Sequence, residues 1–128
     1  VYKKHTPIVI KIAPDINNEI IDELINLINN YDIDGVICTN TTIDKSSLSQ
    51  KYKNIQGGLS GKPLLDKSSS VLKIVSKSLG KDRTVIGVGG IDSLKTANEK
   101  FELGADLIQL YTGLVYKGPN VLKEILEV

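Results

Sequence analysis

The chain has 128 residues, the size of one ordinary domain, and its 41% hydrophobic content excludes a disordered polymer. The net charge of +1 covers 16 basic residues, of which Arg83 alone is an arginine, and the five tyrosines and one phenylalanine are scattered without a basic stripe beside them. Nucleic-acid surfaces lean on Arg forks and stacked aromatics, so that class is set aside and the lysines are expected on solvated helix faces.

One cysteine, Cys38, closes no internal disulfide, which suits a reducing compartment. Within Asp34-Gly35-Val36-Ile37-Cys38 it is expected to be a buried strand thiol, not a reactive one. No apolar stretch approaches the ~20 residues needed to cross a bilayer, so the chain itself is expected to be soluble. Residues 1–5 carry no signal-peptide core, and His5, with no second histidine to work with, is expected to be an exposed bystander.

In chain order the pattern is strand then helix, four times. Ile8-Val9-Ile10-Lys11-Ile12 is a short β-branched run stopped by Ala13-Pro14, the kind that suits a parallel strand buried on both faces. Asp15 offers an N-cap for a helix striped by Ile20, Leu24, Leu27 and Ile28. Gly35-Val36-Ile37-Cys38-Thr39 is the second strand, and the turn before it, Tyr31-Asp32-Ile33-Asp34, reads as plainly solvated. A long connection through Gly57-Gly58-Leu59-Ser60-Gly61 leads to a helix striped by Val71, Leu72, Val75 and Leu79 and ended by Gly80. Thr84-Val85-Ile86-Gly87-Val88 is the third strand. Asp92 or Ser93 then caps a helix carrying Leu94, Ala97 and Phe101, closed by Gly104. Leu107-Ile108-Gln109-Leu110-Tyr111 is the fourth strand, and Gly118-Pro119 opens a last helix with Val121, Leu122, Ile125 and Leu126.

Such alternation predicts a parallel sheet with right-handed crossovers. Two architectures compete: a small doubly wound sheet, and four of the eight units of a (β/α)8 barrel, which needs about 250 residues in all. Turn chemistry favours the barrel. Every strand ends in polar or glycine-rich residues, as a barrel mouth built from βα loops requires.

Several of those residues carry chemistry. Lys11 interrupts an apolar strand, where an unpaired ammonium is costly; it is either an edge lysine that snorkels to solvent or a cation facing an anion or electron-rich ring. Asn40, in Thr39-Asn40-Thr41-Thr42, has donors and an acceptor for a planar ligand, although Asn and Thr also serve simply as turn residues. Gly87-Val88-Gly89-Gly90-Ile91-Asp92 lies directly between strand and helix, a ready anion site. Barrels frequently bind phosphate with the loops after strands seven and eight, and this loop with Tyr111-Thr112-Gly113 is placed to be those two. A third glycine at dinucleotide spacing is missing, so a mononucleotide phosphate fits better.

Taken together, Lys11-Ile12-Ala13-Pro14-Asp15, Thr39-Asn40-Thr41-Thr42, Gly57-Gly58-Leu59-Ser60-Gly61-Lys62-Pro63-Leu64, Gly87-Val88-Gly89-Gly90-Ile91 and Gln109-Leu110-Tyr111-Thr112-Gly113 resemble, in order and spacing, the dihydroorotate dehydrogenase family, in its class 2, quinone-reducing branch. The resemblance implies that residues 1–128 form a single region, the C-terminal half of a (β/α)8 barrel that holds FMN. It also implies oxidation of (S)-dihydroorotate to orotate in pyrimidine biosynthesis. By resemblance Lys11 lies against the flavin and stabilises negative charge on the reduced ring. Thr39 touches the flavin, Gly61 packs on it with its backbone beside Ser60, and Gly89, Gly90, Tyr111 and Thr112 cradle its phosphate. Asn40 and Thr41 bind orotate. The family's serine base belongs to the other half of the barrel; none of Ser46, Ser47, Ser49 or Ser68 to Ser70 matches it, so no catalytic base falls within these residues. The quinone and membrane contacts of the family belong to its N-terminal region, and a bacterial member is peripheral on the cytoplasmic face of the inner membrane. Two rival readings stay open: a non-catalytic mononucleotide-binding half-barrel, and a phosphate-binding barrel enzyme without flavin.

Overall fold

The short β-branched runs become a parallel sheet in the computed structural model, which describes residues 6–126. β1 (Val9–Ile12), β2 (Gly35–Cys38), β3 (Thr84–Val88) and β4 (Leu107–Gln109) lie side by side in chain order. All three pairings are parallel, with Ile10 opposite Val36, Val36 opposite Val85 and Gly87 opposite Ile108. Helix α1 (Asn18–Asn30) joins β1 to β2; α2 (Gln50–Lys53), a 3-10 turn (Lys62–Leu64) and α3 (Leu65–Ser78) join β2 to β3. Helix α4 (Leu94–Glu102) precedes β4, and α5 (Thr112–Lys117) and α6 (Asn120–Leu126) follow it. A doubly wound sheet reverses its strand order at a switch point, whereas barrel strands are laid down one after another. The order here never reverses, and the fold is half of an α/β barrel.

The core lies between the sheet and its helices. Ile21, Ile25 and Ile28 of α1 and Val71, Leu72 and Val75 of α3 pack on Ile12, Val36, Cys38 and Val85. The opposite face of the sheet is open, and β1 and β4 are its edges. This corrects one expectation: β1 is not buried on both faces, because Val9 and Ile10 are half-buried and Lys11 is exposed.

The helix stripes are also rotated from the sequence reading. The α1 N-cap is Asn17, whose Oδ1 accepts from the Ile20 N–H at 2.9 Å, rather than Asp15. The buried positions of α1 are Ile21, Ile25 and Ile28, while Ile20 and Leu27 are exposed. In α4, Ser93 is the cap, in a reciprocal box with Thr96. Ala97 is buried as expected, but its buried neighbour is Lys100, and Phe101 is exposed. Ranking by side-chain hydrophobicity selects Phe over Lys; a polar pocket on α3 reverses that choice. β4 ends two residues before Tyr111, which is the N-cap of the unforeseen α5. The turn before β2 is tied as well as solvated: the Asp34 carboxylate accepts from the Ile8 N–H at 2.7 Å, and Arg83 pairs with Asp32 at 3.0 Å. His5 lies outside the described residues. Among the described residues no helix is long and apolar enough to cross a membrane.

Candidate functional site

The C-terminal ends of all four strands converge on one cavity of about 470 Å³. Lys11 comes from β1, and Thr39, Asn40 and Thr41 from the end of β2. Ser60 and Gly61 come from the long connection, Gly89 and Gly90 from the β3 loop, and Tyr111 and Thr112 from the β4 loop. All the site candidates read from the sequence therefore line a single space. Its volume lies in the usual range of small-molecule and cofactor pockets, about 300–1,000 Å³.

Each wall is held by identifiable bonds. The Thr39 N–H donates to Val88 O at 3.0 Å and the Asn40 N–H to Ile12 O at 2.7 Å, so the end of β2 is pinned to both neighbouring strands. Thr39 is buried, and its hydroxyl donates to Asn40 O at 2.8 Å. Asn40 is exposed to the cavity. Its Oδ1 accepts from the Thr41 N–H at 2.8 Å, which uses one lone pair and leaves the two amide hydrogens directed elsewhere. The Asn40 side chain thus fills its turn role through Oδ1, while its amide stays on the cavity wall.

Asp15, freed from capping, ties three segments together. It accepts from the Thr42 hydroxyl at 2.5 Å and the Ile43 N–H at 2.9 Å, and pairs with Lys67 of α3 at 2.6 Å. Partial burial raises the Asp15 pKa, but the bonds from Lys67, Thr42 and Ile43 outweigh it and leave the carboxyl below its ordinary value. Lys67 is raised in turn, first by its bond to Asp15. Thr42 also exchanges backbone bonds with Leu59, which draws the glycine-rich connection across the mouth.

Two glycines are required by space and conformation. Gly90 has φ of 80°, and a Cβ there would stand 2.5 Å from Leu65 Cβ and 2.6 Å from its Cα. Gly61 has φ of 75°, and its Cβ would meet Thr112 Cγ2 at 2.9 Å. Bare backbone therefore forms the wall shared by the β3 loop, the β4 loop and the long connection, and the Thr112 hydroxyl closes it by donating to Ser60 Oγ at 2.9 Å. Lys11 is absent from the ion pairs formed among the described residues. It is a solvent-accessible cation on the cavity wall.

Two features escaped the sequence reading. One is the Asp15 tie. The other is Lys100, fully buried beneath the β3 loop, whose only sequence signal is its place three residues after Ala97 on the same helix face. Cys38 is buried as expected, and burial pushes its thiol up to about 12, against the opposing charge of Lys100. Such a thiol is inert at neutral pH.

Fold and site together define the mouth of an α/β barrel, a cavity with bare glycine backbone on one side and a cation and an amide on the other. The particular family follows from the comparisons: the model of the dihydroorotate dehydrogenase family matches residues 1–128, and the chain belongs to that family. It is 49% identical over 126 residues to the dihydroorotate dehydrogenase (quinone) of Buchnera aphidicola subsp. Schizaphis graminum, covering 98% of this chain and 38% of that protein. The dihydroorotate dehydrogenase (quinone) of Aliivibrio salmonicida is 44% identical over 125 residues, covering 97% of this chain and 37% of the relative. Among solved structures, ligand-free DHODH from Eimeria tenella superposes with a TM-score of 0.90 at 32% identity, covering 97% of this chain and 35% of that one. The complex of the Eimeria enzyme with ferulenol gives 0.89. The chain thus spans little more than a third of the length of these relatives.

Proposed function

We propose that residues 1–128 are a single region supplying the cofactor half of a barrel that oxidises (S)-dihydroorotate to orotate with a quinone as acceptor, in pyrimidine biosynthesis. The observation that carries this reading is the convergence of Lys11, Asn40, the bare Gly61 and Gly90 backbone and Thr112 on one cavity, in a chain of this family. The residues fit FMN. A side chain at Gly90 or Gly61 would collide with its surroundings, so unobstructed backbone is presented where a phosphate and a ring edge need close approach. FMN, when bound, accepts the two electrons removed from dihydroorotate and returns them to a quinone.

Every other contribution is the protein's. Gly89, Gly90, Tyr111 and Thr112 hold the phosphate, and Thr39, Ser60 and Gly61 pack beside the ring. Lys11 places a positive charge in the wall, which favours the form of the ring carrying added negative charge; such preorganised charge is the protein's share when a cofactor carries the chemistry. Asn40 and Thr41 orient the pyrimidine, with the Asn40 amide hydrogens as donors. The proton-accepting serine belongs to the other half of the family's barrel, together with the quinone site and the peripheral membrane contact on the cytoplasmic face.

The test uses the full-length protein. It should purify yellow, release FMN on denaturation, bleach when dihydroorotate is added without oxygen, and regain colour with a soluble quinone. A colourless preparation that takes up no FMN would refute the reading. The 128 residues alone should show no turnover.

A further inference from the structure

Lys100 of α4 is a charged side chain placed where the helix pattern asks for an apolar one. It is 0% exposed, and it is the largest fully buried side chain among the described residues. Its Nζ donates to Ser68 Oγ at 2.6 Å, to Ser69 Oγ at 2.8 Å and, more weakly, to Leu65 O at 3.4 Å. Glu99 is reached only through a relay, the Ser69 hydroxyl lying 3.2 Å from Glu99 Oε1. Packing alone would be served by Leu or Met, since burying an ammonium without a carboxylate in contact is costly.

The hydrogen-bond directions show what the charge does. An ammonium donates and never accepts, so both serine hydroxyls must point their hydrogens away from it. The hydrogen of Ser69 goes to Glu99. That of Ser68 has two acceptors at 3.0 Å, Leu65 O and Gly89 O. Leu65 O is also served by Lys100, so the Ser68 hydrogen can go to Gly89 O without leaving Leu65 O short of a donor. The Gly89 carbonyl and the Gly90 N–H are opposite sides of one trans peptide plane. Drawing the carbonyl toward α3 turns the Gly90 N–H the other way.

We propose that Lys100 is a positioning residue for the phosphate of a bound mononucleotide, acting through Ser68 to fix the Gly89–Gly90 peptide so that the Gly90 N–H is presented to the anion. The inference rests on the reading of the cavity as an FMN site. Burial lowers the Lys100 pKa to about 8, opposed by Glu99 on its own helix, Cys38 on β2 and Asp66 on α3. Cys38 stays protonated far above that pH. A neutral amine accepts the Ser68 hydrogen and releases Gly89 O, so the loop loosens as pH rises through about 8.

The experiment compares FMN with riboflavin, which lacks the phosphate, on flavin-stripped full-length protein. Lys100→Met and Ser68→Ala should each weaken FMN binding by about 10-fold, the effect of one charge-assisted hydrogen bond, and leave riboflavin binding unchanged. For the native protein, FMN affinity should fall between pH 7 and pH 9 while riboflavin affinity holds, the phosphate being a dianion throughout. Ser68→Ala should abolish that fall. Equal losses for both flavins, or unchanged FMN binding with no pH dependence, would overturn the positioning role. Should Lys100→Met fail to fold, Ser68→Ala and the native pH series decide alone. A native protein that binds neither flavin removes the FMN reading and this proposal with it, whereas equal binding of both leaves the FMN reading and overturns the phosphate role; either shows before any substitution is made.

Discussion

The Asp15 tie can be broken with a single substitution whose cost follows from the geometry. Asp15→Ala removes the acceptor of the buried Thr42 hydroxyl, 2.5 Å away, and of the Ile43 N–H at 2.9 Å. It also removes the 2.6 Å pair with Lys67, whose side chain is 36% exposed against 17% for Asp15. That ion pair is partly screened and counts for under about 1 kcal/mol. An anionic acceptor lost from a buried hydroxyl costs about 1–2 kcal/mol, and the exposed Ile43 N–H recovers a water. Asp15→Ala should therefore destabilise by about 2 kcal/mol, and Asp15→Asn by roughly half of that. Because the folded carboxyl titrates below 3.8, this contribution is fully present above that pH and fades as pH falls beneath it. Denaturant titration of the full-length protein measures the loss. Asp15→Asn and Thr42→Val should be non-additive, since they share a bond, whereas Asn17→Ala should cost about 1 kcal/mol and add to either. A loss below about 0.5 kcal/mol for Asp15→Ala, or additivity with Thr42→Val, would refute the tie.

Asn40→Ala should weaken orotate binding by about 10-fold, a hydrogen-bond loss of ~1–2 kcal/mol, and leave FMN in place; absorbance and an orotate titration separate the two. Lys11→Met should preserve the fold, lower the flavin reduction potential and slow reduction by dihydroorotate by roughly 30- to 150-fold, read by stopped-flow bleaching and redox titration. Lys100 makes a pH prediction of its own. Its folded pKa of about 8 lies under the ordinary 10.5, so between those values the unfolded chain holds more proton and stability rises with pH. Lys100→Met should erase that rise, worth at most about 3 kcal/mol, in denaturant melts from pH 7.5 to 10.5.

Much of this was legible in the sequence because parallel strands advertise themselves as short β-branched runs. Thr84–Val88 matches its strand to the residue, and the polar residues that end each run are the ones that meet at the mouth. What escaped depends on contacts made across long separations. Asp15 fits an N-cap by local rules, and only the approach of Thr42 and Lys67 gives it other work. By sequence Lys100 is one more solvated lysine, because nothing within α4 announces the serine pocket on α3. Thr112 seemed a loop residue, yet it starts a helix, since α5 is too short to show a periodic stripe.

The sequence separations of these ties bear on the order of folding. Lys67 to Asp15 and Thr112 to Ser60 each close 52 residues, twice the 26 between Ile8 and Asp34. Doubling a loop costs only about 0.6 kcal/mol in closure entropy, so the mouth is thermodynamically cheap to hold. Kinetically it is different, because such contacts wait until the strands beneath them have paired. The cavity walls therefore close on a sheet that is already paired, and a phosphate bound there would act as a late-arriving clasp on loops that the sheet alone leaves unjoined.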